Sequence, residues 1–396
     1  MTEKRRDNRG RILKTRESQR KDGRYVYKYK DAQGSMQTVY SWKLMPSDKL
    51  PAGKRPCISL REKERDIHRD VEDGINLSGK KMTLCQLYAK RNGHRVNVKP
   101  KTRTGRKYLM DILRQDKLGN ASIGSIKPSD AKEWAIRMKQ KGYAYKTINN
   151  FKRSLKASFY IAVEDDWVRK NPFDFCLNAV LEDDCRPKTA LSEEEEEKLL
   201  HFVKHDSTYN RYYDDILLLL KTGLRISEFC GLTVSDLDFD RRIIRIDHQL
   251  QKNAENGYYI ETPKTKSSIR QVPMSGQAAE AFRRVINRSG QRQEIAINGY
   301  SDFLFLNRKG LPMTASGYAA AFKNLTKKYN KIHESPIPNI TPHVLRHTFC
   351  TRLANRNMNP KSLQYVMGHA NINLTLNLYV HASIETVKTE MDRLMP

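Results

Sequence analysis

Positive charge is spread along this chain too unevenly for one compact body. Residues 1–80 hold 21 Lys and Arg against 12 Asp and Glu, residues 81–172 hold 22 against 7, and residues 173–396 hold 30 against 26. Of the net charge of +28, therefore, +24 lies in the first 172 residues. On a single folded surface that excess repels itself unless a polyanion neutralises it. A chain of 396 residues is long enough for two or three domains with their own cores. The front is expected to bind, and the nearly balanced back to hold a folded core.

The six cysteines, Cys57, Cys85, Cys176, Cys185, Cys230 and Cys350, show no paired spacing of the kind that holds zinc or builds a disulfide framework. They read as reduced cytosolic thiols. No apolar run approaches the roughly 20 residues that span a bilayer, and MTEKRRDNRGR lacks the apolar part of a secretory signal. The expectation is a soluble, cytoplasmic protein with no membrane partner and no cofactor.

Arg11–Arg16, Arg24–Lys30 and Gln37–Leu44 read as three strands separated by the turn-prone KDG and DAQGS. Alternation along the second puts Tyr25, Tyr27 and Tyr29 on one face and Val26, Lys28 and Lys30 on the other. A small sheet carrying tyrosines and cations suits a DNA groove, and Arg24, Tyr25, Tyr27 and Lys28 are the candidate contacts. The plainer reading is a hairpin whose aromatic face packs on the following helix. That helix runs from Ser59 to Asp73, where Ser59 and Glu62 form a capping box and Gly74 follows the end.

Gly74–Lys81 reads as a linker and Pro100–Arg106 as a basic loop. Helices are expected over Thr83–Lys90, Tyr108–Gln115, Ser129–Lys141 and Thr147–Glu164, the last with Ile148, Phe151, Leu155, Phe159 and Val163 at helical spacing. Charged helix faces are usually only solvated. An excess of 22 cations over 7 anions in this bundle instead points to phosphate tracking, with Arg103, Lys107, Lys146, Lys152 and Arg153 as candidates. Residues 181–189 (LEDDCRPKT) read as a connector. Ser192 and Glu195 cap the next helix, whose Glu193–Glu197 run is read as a solvated start favoured by the helix dipole rather than a metal site.

The end of the chain is the densest in chemistry. Thr341–His381 holds His343, Arg346, His347, His369, Tyr379 and His381 in a stretch otherwise patterned like core helix. His343 and Arg346 are three apart, hence on one helix face, and an arginine fork fits two phosphate oxygens. Lys361–Met367 reads as a short helix ended by Gly368, with His369 at the turn and Asn371 or Asn373 starting the next helix. Tyr379 is either a core residue with a satisfied hydroxyl or a nucleophile. Upstream, Lys221–Leu232 (KTGLRISEFCGL) has Leu224, Phe229 and Leu232 at helix-like spacing. Arg225 lies beside that apolar surface, where a guanidinium needs an anion, and Glu228 can orient it. Arg242–Gln249, Tyr258–Ile260 and Arg270–Val272 read as strands, with Lys264 and Lys266 in the basic turn before the last.

Arg225 in TGLRISEFCGL, Lys264 in PKTKSSIRQVP, His343 and Arg346 in HVLRHT, His369 in MGHA and Tyr379 in NLYVH occur in the order and spacing of the tyrosine recombinases. The chain resembles that family throughout, and most closely the integrases of bacterial conjugative transposons. The resemblance implies a multidomain α+β fold: an N-terminal three-stranded module for accessory arm sites (1–75), a helical core-site-binding domain (82–172) and a mainly helical catalytic domain with a tail helix (188–396). It also implies a site-specific recombinase that integrates and excises a mobile element through a 3′-phosphotyrosyl intermediate, without metal or ATP. In that reading Tyr379 is the nucleophile, Arg225, His343, Arg346 and His369 bind the phosphate, and Lys264, or alternatively Lys266, is the general acid. Double-stranded DNA is the implied partner, with a homotetramer that exchanges C-terminal tails and with excision and DNA-bending factors. The tail stripe of Ile384, Val387, Met391 and Leu394 would dock on a neighbour. Two other classes fit parts of the pattern: a type IB topoisomerase-like enzyme that nicks and religates, and a non-catalytic DNA-binding protein on the same fold.

Overall fold

Two separately packed units divide the chain, Met1–Arg186 and Pro187–Pro396. The computed structural model describes residues 5–31, 34–95, 98–184, 189–263, 265–288 and 295–379, together with 388, 391, 392 and 395; the side chains of residues 77, 78 and 266 are not described. The apolar tail stripe, but for Met391, lies outside these residues, as does His381.

In the first unit, β1 (Glu17–Gln19), β2 (Tyr25–Lys30) and β3 (Met36–Ser41) form an antiparallel sheet with β2 central. The register sets Tyr27 opposite Glu17 and Val39. Tyr25, Tyr27 and Tyr29 are buried with Leu44, Leu60 and Ile67 in a core covered by α1 (Leu60–Glu72), whose Ser59–Glu62 capping box forms as expected. The first strand lies later than the pattern suggested, because Arg11–Arg16 is drawn into turns. The Asp7 carboxylate accepts the backbone N–H groups of Arg9 and Arg11 at 2.9 and 2.8 Å, and the Arg11 guanidinium reaches Asp48 at 2.6 Å. Arg16 then sits at a φ of +70°.

A second core in the same unit gathers Tyr88, Trp134, Phe159 and Phe173. The segment read as a linker carries the short α2 (Leu77–Lys80). Its Lys80 pairs with Asp70 of α1, and Asp70 also takes Arg169 at 2.8 Å. The bundle is built from α3 (Leu84–Gly93), α4 (Pro100–Arg114), α5 (Pro128–Gln140) and α6 (Tyr145–Glu164). The supposed basic loop at 100–106 is the first two turns of α4. Proline at the first helical position needs no N–H partner and has its φ preset, so it starts the helix instead of breaking it.

The second unit opens with α7 (Glu193–His205), α8 (Tyr213–Thr222) and α9 (Ile226–Gly231). Glu196 is not a solvated member of its acidic run; it is buried and pairs with Arg352 at 2.7 Å. Next come β4 (Leu237–Asp238), β5 (Ile243–Ile246), β6 (Gln249–Asn253), β7 (Gly257–Glu261) and β8 (Arg270–Pro273). β4, β5 and β8 make one antiparallel sheet, and β6 and β7 a hairpin. The single strand expected over Arg242–Gln249 divides at His248, whose ring turns inward to the Gly231 carbonyl at 2.7 Å and to Asp247 at 2.6 Å. Among the described residues five further helices follow: α10 (Gly276–Arg288), α11 (Ala315–Ile332), α12 (Pro342–Asn355), α13 (Pro360–Met367) and α14 (Asn373–Leu376). One large core including Leu218, Phe229, Phe282, Tyr318, Phe322 and Leu345 holds them. Among the described residues no helix is long and apolar enough to cross a membrane.

Candidate active site and DNA-contact surfaces

The site forms where two helices are interrupted by glycines in the left-handed conformation. Gly223, at φ +61°, ends α8 and separates it from α9, so Arg225 is not inside one continuous helix but caps the next. Gly368, at φ +60°, ends α13 and turns the chain into His369. Only glycine takes this backbone without a steric cost of roughly 1–2 kcal/mol. At Gly368 space is also short, since a Cβ would lie 3.1 Å from Arg270 Nη1 and 3.2 Å from Arg225 Nη1. The sequence fits both demands.

The two guanidiniums converge on that turn. Arg225 donates through Nη2 to the Gly368 carbonyl, and through Nη1 to Glu228 Oε1 at 2.7 Å. Arg346, on α12 and only 7% exposed, donates to the carbonyls of Met367 and, at 2.7 Å, Gly223. Burial and the neighbouring Arg225 push the Arg346 pKa down to about 9, which leaves it charged at neutral pH. His369 follows directly. Burial and the charges of Arg346, Arg225 and Arg270 push its pKa down to about 4, so its ring is neutral. Its Nδ1 lies 3.0 Å from the buried hydroxyl of Thr375. If Thr375 donates, the His369 proton sits on Nε2.

His343 is the exposed residue of the otherwise buried first turn of α12, one turn before Arg346. Tyr379 follows α14 and packs against the small cluster of Cys350, Ala354, Leu363 and Met367, while its hydroxyl donates to the Met358 carbonyl. Burial raises its pKa above the usual tyrosine value. Leu374 and Leu376, just before Tyr379, are exposed, because α14 is a single turn and too short to bury a face. Lys264 lies outside the described residues. Lys266 starts a 3-10 turn just before β8, and its side chain is likewise not described. Thus Arg225, Arg346 and His369 share one turn of backbone, and His343 shares a helix with Arg346.

A residue that the sequence reading passed over sits at the centre. Arg270, the first residue of β8, is completely buried, and its fork meets the Glu228 carboxylate at 2.9 and 3.2 Å. Burial alone would raise the Glu228 pKa, but Arg270 and Arg225 outweigh it and hold the carboxylate below its usual range. In the sequence Arg270 looked like an ordinary strand cation.

The DNA-contact candidates divide by burial. Tyr25 and Tyr27 are withdrawn from the sheet surface: they are buried beneath α1, with the Tyr25 hydroxyl on Asp7 at 3.0 Å and the Tyr27 hydroxyl 3.1 Å from His68. The aromatic face is structural because α1 packs on it, with Leu60 and Ile67 against the tyrosines. Lys28 is exposed on the opposite face, and Arg24 stacks over Tyr40 and Trp42 at 5.5 and 5.6 Å. Lys54 lies 4.6 Å over Trp42. Tyr40, Trp42 and Lys54 are thus surface aromatics and cations that strand alternation alone did not single out. In the bundle, Arg103 and Lys107 line one cleft between α3 and α4 with Arg95 and Arg106, and Lys146 and Arg153 are exposed on α6. Lys152 is not available to a phosphate; it is buried, with Nζ 4.6 Å over the Phe175 ring.

Paired arginines on a glycine–histidine turn, a tyrosine one element further on and cationic modules ahead of them define an enzyme that breaks and rejoins DNA with a tyrosine. The chain belongs to the Phage integrase family, which it matches over residues 189–386, and residues 1–71 match the DNA binding domain of Tn916 integrase. It is 66% identical over 394 residues to the transposase from transposon Tn916 of Enterococcus faecalis, covering 100% of this chain and 97% of the relative. Identity and coverage are the same for the transposase from transposon Tn1545 of Streptococcus pneumoniae. Among solved structures, the Tn1549 transposon integrase in complex with a circular intermediate DNA is 56% identical, with a TM-score of 0.77 over 79% of this chain and 99% of that one. The protein is a tyrosine recombinase, and DNA is its partner.

Proposed function

We propose that the Arg225–Arg346–His369 turn holds the scissile phosphate and that Tyr379 attacks it. The observation that carries this is the convergence of two guanidiniums on the backbone of Met367 and Gly368, with Glu228 as the carboxylate that orients one of them. A phosphodiester brings one negative charge, and a second develops as the attacking oxygen adds. Fixed cations and a neutral imidazole donor already in place favour that transition state over the ground state. Tyr379 loses its proton and forms a bond to phosphorus. The bond to the 5′-oxygen breaks, and that oxygen is protonated by Lys264, or alternatively Lys266. His343, exposed beside Arg346, is the acceptor for the tyrosine proton. The 3′-phosphotyrosyl bond conserves the energy of the broken linkage, so a 5′-hydroxyl from a second duplex reverses the chemistry and seals the exchange.

The Tyr379 hydroxyl must leave the Met358 carbonyl before it can attack, which makes cleavage dependent on a local rearrangement. The substrates are the ends and circular form of a mobile element, as the names of the similar transposases and integrase indicate. Exchange between two duplexes calls for a tetramer on DNA, with tail exchange between protomers, and for bending and excision factors that set direction. The setting is the bacterial cytoplasm. The sheet module reads accessory arm sites through Arg24, Lys28, Tyr40, Trp42 and Lys54, while Arg103, Lys107, Lys146 and Arg153 track the backbone of the crossover site. A nicked suicide duplex carrying the crossover site, incubated in EDTA and run on a denaturing gel, tests the chemistry. The wild type is expected to give a covalent band and Tyr379→Phe none; a band from both would remove Tyr379 as the nucleophile.

A further inference from the structure

Among the described residues three arginines, not two, surround the site, and one carboxylate, Glu228, pairs with two of them. Arg270 directs four N–H groups into the protein: two to Glu228, one to the Val366 carbonyl at 2.7 Å and one to the Ser268 carbonyl at 3.0 Å. Its side chain is fully buried, whereas that of Arg225 is 29% exposed. A forked pair with both oxygens engaged is the strongest arrangement a carboxylate makes with an arginine. Glu228 is therefore primarily the counter-ion of Arg270. Arg225 shares one of its oxygens but is not neutralised by it.

We propose that Arg270 is a positioning residue that sets the charge of the site: by pairing with Glu228 it keeps two of three guanidinium charges uncompensated for the reacting phosphate. Arg225, Arg270 and Arg346 with Glu228 sum to +2, which matches the two negative charges of the transition state and exceeds the one of the ground state. Arg270 also joins three parts of the site mechanically. It begins the strand that follows the lysine turn, holds the carboxylate that caps α9 and donates to the last turn of α13 at the Val366 carbonyl, while Gly368 is held close against it.

The proposal rests on the assignment of Arg225 and Arg346 to the phosphate, and its test separates the two ideas. Single-turnover cleavage of the suicide duplex at saturating protein is the readout, with DNA affinity and thermal midpoint measured alongside. Arg270→Met leaves the site at +1, and cleavage is expected to fall roughly 10- to 100-fold, the effect of one unit charge acting over about 6–10 Å at an effective dielectric near 20. Arg270→Met combined with Glu228→Gln restores +2 and keeps an acceptor for the Arg225 cap, so most of that loss is expected to return. Replacing a buried pair together is tolerable where removing one partner is not. A double variant that is folded but no faster than Arg270→Met overturns the proposal and leaves Arg270 a structural strut. Should the Met variants not fold, Arg270→Lys and Arg270→Gln both lose the fork and differ in charge. The Lys variant is then expected to cleave at least about 10-fold faster, and equal rates overturn the proposal. If wild-type protein forms no Tyr379 adduct, the phosphate assignment itself fails, independently of any Arg270 variant.

Discussion

At the scale of single residues, the proposed functional positions were legible in proportion to how narrowly chemistry restricts their type. A phosphate clamp needs arginine and an in-line nucleophile needs a hydroxyl, so Arg225, Arg346, His369 and Tyr379 stood out as types at fixed intervals. Arg270 did not, because a buried counter-charged arginine and a solvated strand arginine are the same letter, and only burial tells them apart. The same blindness placed Tyr25, Tyr27 and Lys152 on surfaces they do not reach. Burial also sets two pH dependences. The His369 pKa is about 4 in the folded protein against 6.5 unperturbed, so the unfolded chain takes up a proton first as pH falls. The stability His369 contributes is thus present above about pH 6.5 and is lost as pH falls toward 4. Thermal midpoints of the DNA-free protein at pH 7.5 and 5.0 are expected to differ more for the wild type than for His369→Gln. Asp215 behaves oppositely: complete burial raises its pKa to about 6 although Tyr318 donates to it at 2.7 Å. Its ionisation opposes folding as pH rises from about 4 through 6. Asp215→Asn is expected to stabilise the protein by about 1–3 kcal/mol above pH 6, a gain that shrinks toward pH 4 in urea titrations.

At the scale of elements, capping signals located helices more reliably than periodicity located strands. The Ser59–Glu62 and Ser192–Glu195 boxes both form, because each satisfies backbone donors whatever packs nearby, and Thr83 caps α3 with Gln86 in the same way. Strand β1 moved because Asp7 and Asp48 captured Arg11, and the Asp48 pair, 37 residues apart in sequence, lies beyond any local window. The run from Lys221 to Leu232 carried a helical pattern, yet it is two helices, and the break at Gly223 is what lets Arg225 leave the helix axis. That break is demanding. A Cβ at Gly223 would lie 2.2 Å from Phe349 Cδ1, on a backbone already left-handed, and the Gly223 carbonyl is the acceptor of Arg346. Gly223→Ala therefore adds overpacking to backbone strain and is expected to destabilise by about 2–4 kcal/mol. Equilibrium urea unfolding checks this, and a loss below about 0.5 kcal/mol would show that Phe349 yields freely. Cleavage by the folded fraction should also fall, since the carbonyl of residue 223 that aims Arg346 shifts with the strained backbone.

At the scale of the molecule, the charge gradient along the chain is a division of tasks. The second unit pairs cations with carboxylates as in Arg352–Glu196, Arg284–Asp214 and Arg270–Glu228, and for the fully buried Arg270 the match is required, because a packed core tolerates charge only when it is matched. The first 172 residues carry 43 cations against 19 anions, an excess that holds counterions which bound DNA would release. Binding must then weaken steeply with salt, with a slope of about −0.9 per phosphate contact on a log–log plot. Replacing Arg103, Lys107, Lys146 and Arg153 together by Gln is expected to flatten that slope by about 3 to 4, and to weaken binding about equally on crossover and unrelated DNA. Lys152→Gln, which removes a buried contact with Phe175 instead of a phosphate partner, should lower the thermal midpoint and leave the slope unchanged. An unaltered slope in the fourfold variant would mean that those cations are only solvated, and that the excess of charge in the bundle acts through other residues. The predicted separation of slope from stability is what distinguishes a surface held for DNA from one that merely keeps the chain in solution.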